Sequence, residues 1–194
     1  MHMEYPVRKH NRLKAYDYST PGAYFVTICT GGRRCFLSKV SVGAIHESPA
    51  QRVILTRAGR IVQNVIESLP ERFEDVYVDK YVIMPNHIHL LIRIDNERMI
   101  RASSQRIDSK RAIHESPLQA EKGTVPANRS ILSKVIGYLK MNSSKQIHSF
   151  APELAVWQRS FYDHVVRNEK DYTECWLYID SNPARWAQDE LYTE

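Results

Sequence analysis

From His87 to Ile94 the chain alternates without a break: Ile88, Leu90 and Ile92 fall on one face of a strand, and His87, His89, Leu91 and Arg93 on the other. Upstream, Val76, Val78, Tyr81, Val82 and Ile83 predict a second strand within 73–84, and Pro85-Asn86 supplies the turn. The two strands form a hairpin with one apolar face. Such a hairpin is not stable alone, so its apolar face needs a covering layer.

The rest of the chain supplies that layer. Tyr24-Phe-Val-Thr-Ile-Cys29, between Pro21-Gly22 and Gly31-Gly32, predicts a first strand. A polar stretch to about Thr56 reads as loop. Ile61, Val62, Val65, Ile66 and Leu69 recur at helical spacing, with Pro70 as the stop. Ser130 caps a helix carrying Ile131, Val135, Ile136, Leu139 and Met141. The aromatic and β-branched content of 156–166 predicts a last strand, and Asn168 caps a last helix over 169–182, before Pro183. The order β-α-β-β-α-β-α matches an α+β, ferredoxin-like (RRM-like) βαββαβ pattern: a four-stranded antiparallel sheet with an extra C-terminal helix. Residues 1–20 read as a basic arm, and 21–194 as a single domain with loop insertions near 38–54 and 95–128.

With 194 residues, 43% of them hydrophobic, the chain can bury a core without staples. Cys29, Cys35 and Cys175 lack CxxC spacing, so neither a disulfide framework nor a cysteine zinc site is indicated, and a cytoplasmic location is expected. No run of 18 apolar residues suggests a membrane span. The net charge of +5 suits a polyanionic partner. Basic clusters occur at Arg8, Lys9, Arg12 and Lys14, at Arg33 and Arg34, and at Lys134, Lys140 and Lys145. Each can contact phosphate, or can be ordinary solvated charge. Ala44-Ile-His-Glu-Ser-Pro49 recurs letter for letter as Ala112-Ile-His-Glu-Ser-Pro117, which reads as a duplicated loop insertion without chemistry.

Two places can carry chemistry. His87 and His89, two residues apart on a strand, project from the same face and can share a divalent ion; satisfied surface histidines are the alternative. On the last helix, Tyr172, Cys175, Trp176 and Ile179 form an apolar stripe. Tyr178 and Asn182 fall off it, about 40° from one another and on a flank shared with Asp171. An amphipathic tyrosine at a helix edge reads equally well there.

Taken together, these segments resemble the single-tyrosine members of the HUH endonuclease group, and most closely the REP-associated tyrosine transposases. The matching segments are Tyr16-Asp-Tyr18 with Tyr24-Phe-Val-Thr-Ile-Cys-Thr30, Val82-Ile-Met-Pro-Asn-His-Ile-His-Leu-Leu91, Val156-Trp-Gln-Arg-Ser-Phe-Tyr-Asp-His-Val-Val-Arg-Asn168 with Asp171-Tyr172, and Tyr178-Ile-Asp-Ser-Asn-Pro183. The resemblance implies a catalytic tyrosine at Tyr178 and metal ligands at His87, His89 and Asn182. It further implies Mg²⁺ or Mn²⁺ as cofactor and no nucleotide cofactor. The implied substrate is single-stranded DNA with palindromic hairpin repeats, cleaved through a 5′-phosphotyrosine intermediate. Tyr16 and Tyr18 are candidates to stack on unpaired bases, and His164 and Asp171 to accept the phenolic proton. A monomer or a homodimer would serve.

Three rivals remain. A replication initiator or relaxase of the same group is usually larger. A histidine-triad hydrolase needs a third histidine where Leu91 stands. A non-catalytic ferredoxin-like nucleic-acid-binding module would use the sheet face that carries His87 and His89.

Overall fold

A computed structural model describes residues 20–42, 51–95 and 130–192. The basic arm with Tyr16 and Tyr18, both Ala-Ile-His-Glu-Ser-Pro copies and most of the second expected insertion lie outside the described residues.

The hairpin is formed by β4 (Val76–Ile83) and β5 (His87–Ile94), antiparallel, with Met84 N–H donating to His87 O across the Pro85-Asn86 turn. β1 (Gly22–Cys29) pairs with the other edge of β5, and β6 (Tyr162–Val166) with the free edge of β1, both antiparallel. The strand order β4-β5-β1-β6 is that of the expected ferredoxin-like sheet. β5 and β1 are therefore central, and the register sets Thr27 opposite His89 and Cys29 opposite His87.

Each face is covered by helix. On one face Tyr24, Val26, Ile28, Ile88, Leu90 and Ile92 are buried against α1 (Arg57–Glu67) and α3 (Ile131–His148). Thr56 caps α1 by accepting from Gly59 N–H, and Ser130 caps α3 by accepting from Ser133 N–H. The opposite face, with Phe25, Val82 and Leu91, packs against α4 (Glu169–Ser181) through Tyr172, Cys175, Trp176 and Ile179, the stripe read from the sequence.

Three expectations change. Pro70 does not stop the first helix. α1 ends at Glu67, and Pro70 lies in the first turn of a separate short helix α2 (Leu69–Arg72), where a missing N–H is harmless. The stretch read as loop before Thr56 contains an antiparallel ribbon, β2 (Ser38–Val42) with β3 (Gln51–Leu55), whose Val40 and Val53 join the α4 layer. The expected strand over 156–166 is broken. Trp157 bridges Thr30 and Gln158 N–H donates to Cys29 O, but regular pairing resumes only at Tyr162. Lys140 explains how the break is tolerated: its ammonium donates to the carbonyls of Gln158 (2.8 Å) and Ser160 (2.7 Å), acceptors left without a ladder partner. Gly31 fits the same crossing, because a Cβ there would collide with Ala155 O.

Candidate active site and metal centre

α4 is fastened to its own sheet at several points. Asn168 Oδ1 accepts from Asp171 N–H at the cap. Tyr172 Oη donates to Asp79 Oδ2 (3.0 Å) on β4, and Lys80 pairs with Asp180 (2.6 Å) while lying over the Trp176 ring. With the apolar stripe down, Tyr178 reaches the rim of the histidine face. Its ring meets His89 edge-on, with centroids 5.2 Å apart and planes at 73°, and meets Phe25 the same way at 5.7 Å. Tyr178 keeps 45% of its surface exposed.

The histidines are not surface residues: His87 is 0% and His89 2% exposed. Each is gripped through Nδ1. His87 Nδ1 lies 2.8 Å from Asn86 Oδ1, and Asn86 Nδ2 is already committed to Leu191 O at 2.7 Å. Asn86 Oδ1 can therefore only accept, which assigns the proton to His87 Nδ1. His89 Nδ1 lies 2.8 Å from Thr27 Oγ1, its cross-strand neighbour, and the Phe25 ring stacks on the imidazole at 5.2 Å. The two Nε2 atoms consequently converge at 3.0 Å. With Thr27 Oγ1 donating to His89 Nδ1, the His89 Nε2–H donates to His87 Nε2; with the opposite tautomer the two lone pairs face one another and a cation between them satisfies both.

Electrostatics keep the rings in the ligand form. Burial lowers the His87 pKa to about 4, with Arg33 acting in the same direction and Asp189 against it. Burial, then the neighbouring His87, holds His89 well below the ordinary imidazole value.

Oxygen donors complete the group. Asn182, at the C-terminal end of α4, is 3% exposed; its Nδ2 donates to Asp189 Oδ2 at 2.9 Å. Its Oδ1 is buried and, among the described residues, accepts no hydrogen bond. A buried amide oxygen without a donor is costly unless something electropositive faces it. Asp189 follows the 3-10 turn Pro183–Gln188, and its Oδ1 accepts from Leu191 N–H. Ligand atoms of His87, His89 and Asp189 lie within 4.8 Å of one another. Imidazole nitrogens with carboxylate or amide oxygens suit a divalent cation, so the donor set fits such an ion.

Beside this group lies a cleft of about 260 Å³ lined by Tyr178, Ser181, Asn182, Arg185, Gln188, Asp189 and Glu190. Burial, then the carboxylates of Asp189 and Glu190, push the Tyr178 phenol above its ordinary pKa, with Asn182 acting the other way. The hydroxyl is thus firmly protonated at rest.

The structure thus brings together His87, His89, Asn182 and Tyr178 among the residues singled out from the sequence. Arg33 and Arg34 are exposed in the turn after β1, and the Arg33 charge is felt at His87. Lys134 and Lys140 sit on α3, against the other face of the sheet, and Lys140 is occupied by its two carbonyls. His164 and Asp171 bond to each other, and among the described residues neither bonds to Tyr178. Arg8, Lys9, Arg12 and Lys14 lie outside the described residues. Thr27, Phe25 and Asp189 were missed. Thr27 and Phe25 gain their roles only from the β1–β5 register, and Asp189 follows the expected helix in a stretch without periodicity. An open-sheet nucleic-acid-binding module fits poorly, since α4 covers the face it would use.

No protein-family model matches the chain. An uncharacterised protein of Haemophilus influenzae is 31% identical over 191 residues, spanning 96% of this chain and 94% of that one. A REP-associated tyrosine transposase solved bound to a REP hairpin superposes with a TM-score of 0.52 at 18% identity, covering 90% of this chain and 74% of that one. The match to a Deinococcus radiodurans protein described as a transposase covers 88% of this chain and 97% of that one, at a TM-score of 0.43 and 12% identity.

Proposed function

We propose that this chain, which belongs to one family with the Haemophilus influenzae protein and has the fold of the hairpin-bound transposase, is a metal-dependent single-stranded DNA endonuclease and strand transferase. The observation that carries the reading is Tyr178 resting on His89 beside the unpartnered oxygen of Asn182. The nucleophile and the oxygen donor share one wall of a cleft, and the nucleophile's ring rests on one of the two buried nitrogen donors.

His87 Nε2, His89 Nε2 and Asn182 Oδ1 would hold the ion, with Asp189 anchoring the Asn182 amide through its Nδ2 and leaving Oδ1 unpartnered. Bound there, Mg²⁺ or Mn²⁺ supplies charge neutralisation at a non-bridging phosphate oxygen. Tyr178 Oη attacks the phosphorus, the bond to the 3′ oxygen breaks, and a 5′-phosphotyrosine and a free 3′-hydroxyl result. The new ester conserves the bond energy, so the same or another 3′-hydroxyl can reverse the step without a nucleotide cofactor. Asp189 and Glu190, in the cleft with Tyr178, are the groups there able to take the phenolic proton. Arg33 and Arg34, with the basic arm of Arg8, Lys9, Arg12 and Lys14, contribute sequence-independent phosphate contacts. Residues 21–194 act as one catalytic domain behind that arm. The hairpin seen on the transposase makes palindromic single strands the substrate to try first.

Labelled hairpin single-stranded DNA incubated with the protein and Mn²⁺ is expected to give a covalent protein–DNA adduct. The adduct is expected to be absent in Tyr178→Phe; an adduct of equal yield there would mean a different nucleophile.

A further inference from the structure

We propose that His164, Asp171 and Cys175 form a second metal site, selective for a borderline-soft dication of the Zn²⁺ class, that ties β6 to the first turns of α4. Asp171 and Cys175 are four residues apart on α4 and so stack on one helix face. His164 comes to them from β6, where it pairs with Phe25 of β1. His164 Nε2 lies 2.9 Å and 3.0 Å from the two Asp171 oxygens, and Cys175 Sγ lies 3.9 Å from Asp171 Oδ1. One ligand atom from each residue falls within 4.8 Å of the other two. The ligand atoms of a tetrahedral Zn²⁺ ion stand roughly 3.3–3.8 Å apart, so adjustments on the order of an ångström suffice.

The carboxylate is positioned in advance: Asp171 Oδ2 accepts from Arg167 N–H, which leaves Oδ1 toward the thiol. The donors are one imidazole, one carboxylate and one thiol. Thiolate separates this site from the first one and selects Zn²⁺ over Mg²⁺. His164 is about half exposed, so the fourth position opens to water. Coordination converts Cys175 to its thiolate and releases the thiol proton to solvent. Burial first, then the Asp171 and Glu174 charges, raise the free thiol to about 11. The anionic neighbours that disfavour a bare thiolate are the ones that attract a dication. With the ion in place α4 is clamped to the sheet edge two turns before Tyr178.

Co²⁺, which takes the coordination of Zn²⁺, is the probe. Titrated into the reduced full-length protein, it is expected to produce a saturable near-ultraviolet thiolate-to-cobalt charge-transfer band that is bleached by Zn²⁺. The band is expected to be absent in Cys175→Ser and to need more than tenfold higher Co²⁺ in His164→Ala. It should persist in the double variant His87→Ala/His89→Ala, whose missing ligands carry no sulfur. Absence of the band in the unaltered protein, or its survival in Cys175→Ser, would overturn the proposal. Circular dichroism of each variant separates loss of a ligand from loss of fold.

Discussion

Tyr178 lies edge-on against His89, ring centroids 5.2 Å apart, although 89 residues separate them in the chain and one belongs to a helix rim and the other to a central strand. The contact is made within one chain, because Tyr172–Asp79 and Lys80–Asp180 hold α4 to its own β4. Among the described residues the Tyr178 hydroxyl donates no hydrogen bond that the fold depends on. Tyr178→Phe is therefore expected to change stability by less than about 0.5 kcal/mol. It should lower DNA cleavage by a factor on the order of 10⁴ or more, as loss of a covalent nucleophile does. Urea denaturation and single-turnover cleavage, run on the same preparation, separate the two.

Thr27 would act on a bound metal only through His89 Nδ1. In Thr27→Val the ring keeps its packing against Phe25 but loses the partner that fixes its tautomer. Mn²⁺ affinity is expected to fall roughly 10- to 100-fold. An unchanged affinity by calorimetric titration would remove Thr27 from the site.

The oxygen ligand can be assigned by ranking two variants. Asn182→Ala deletes the free Oδ1, and Asp189→Ala deletes only the group that orients it. Mn²⁺ binding should weaken more in Asn182→Ala. The reverse order would make the Asp189 carboxylate the ligand.

Acid should destabilise the metal-free protein before the carboxylates titrate. In the unfolded chain His87 titrates near 6.5, and in the folded chain at about 4. Between these values the unfolded state binds the extra proton, so stability is full above pH 6.5 and falls as the pH drops toward 4. The contribution is roughly 3 kcal/mol for that shift. Burial moves His89 in the same direction. Denaturation in chelator at pH 7 and pH 5 measures the loss. Because the ion requires neutral imidazoles, added Mn²⁺ should stabilise more at pH 7 than at pH 5.

Lys140 should matter for the fold and not for DNA. Lys140→Met leaves the carbonyls of Gln158 and Ser160 without their donor and is expected to cost on the order of 1–3 kcal/mol. Its affinity for hairpin DNA, compared at one fixed salt concentration, should match that of the unaltered protein. A weakened affinity would restore Lys140 as a phosphate contact.

Much of this molecule is local, and local information is readable in sequence. Strict alternation from His87 to Ile94 determined which residues face which layer, because successive strand side chains point to opposite sides. The stripe from Tyr172 to Ile179 determined which side of α4 lies down, and so left Tyr178 at the rim. Pro70 shows the limit of a local rule, since proline blocks a helix interior but is accepted in a first turn, and where one helix ends and the next begins depends on packing. The β2–β3 ribbon and the break before Tyr162 were hidden because their stability comes from Val40 and Val53 meeting the α4 layer and from a lysine on another helix. The same reason governs the site. Two histidines on one strand face were visible in the sequence, whereas their burial under α4, the grip of Thr27 and Asn86, and the approach of Asp189 were not. Those arise from strand register and helix docking, which join residues far apart in the chain, and only the folded sheet decides that such residues meet.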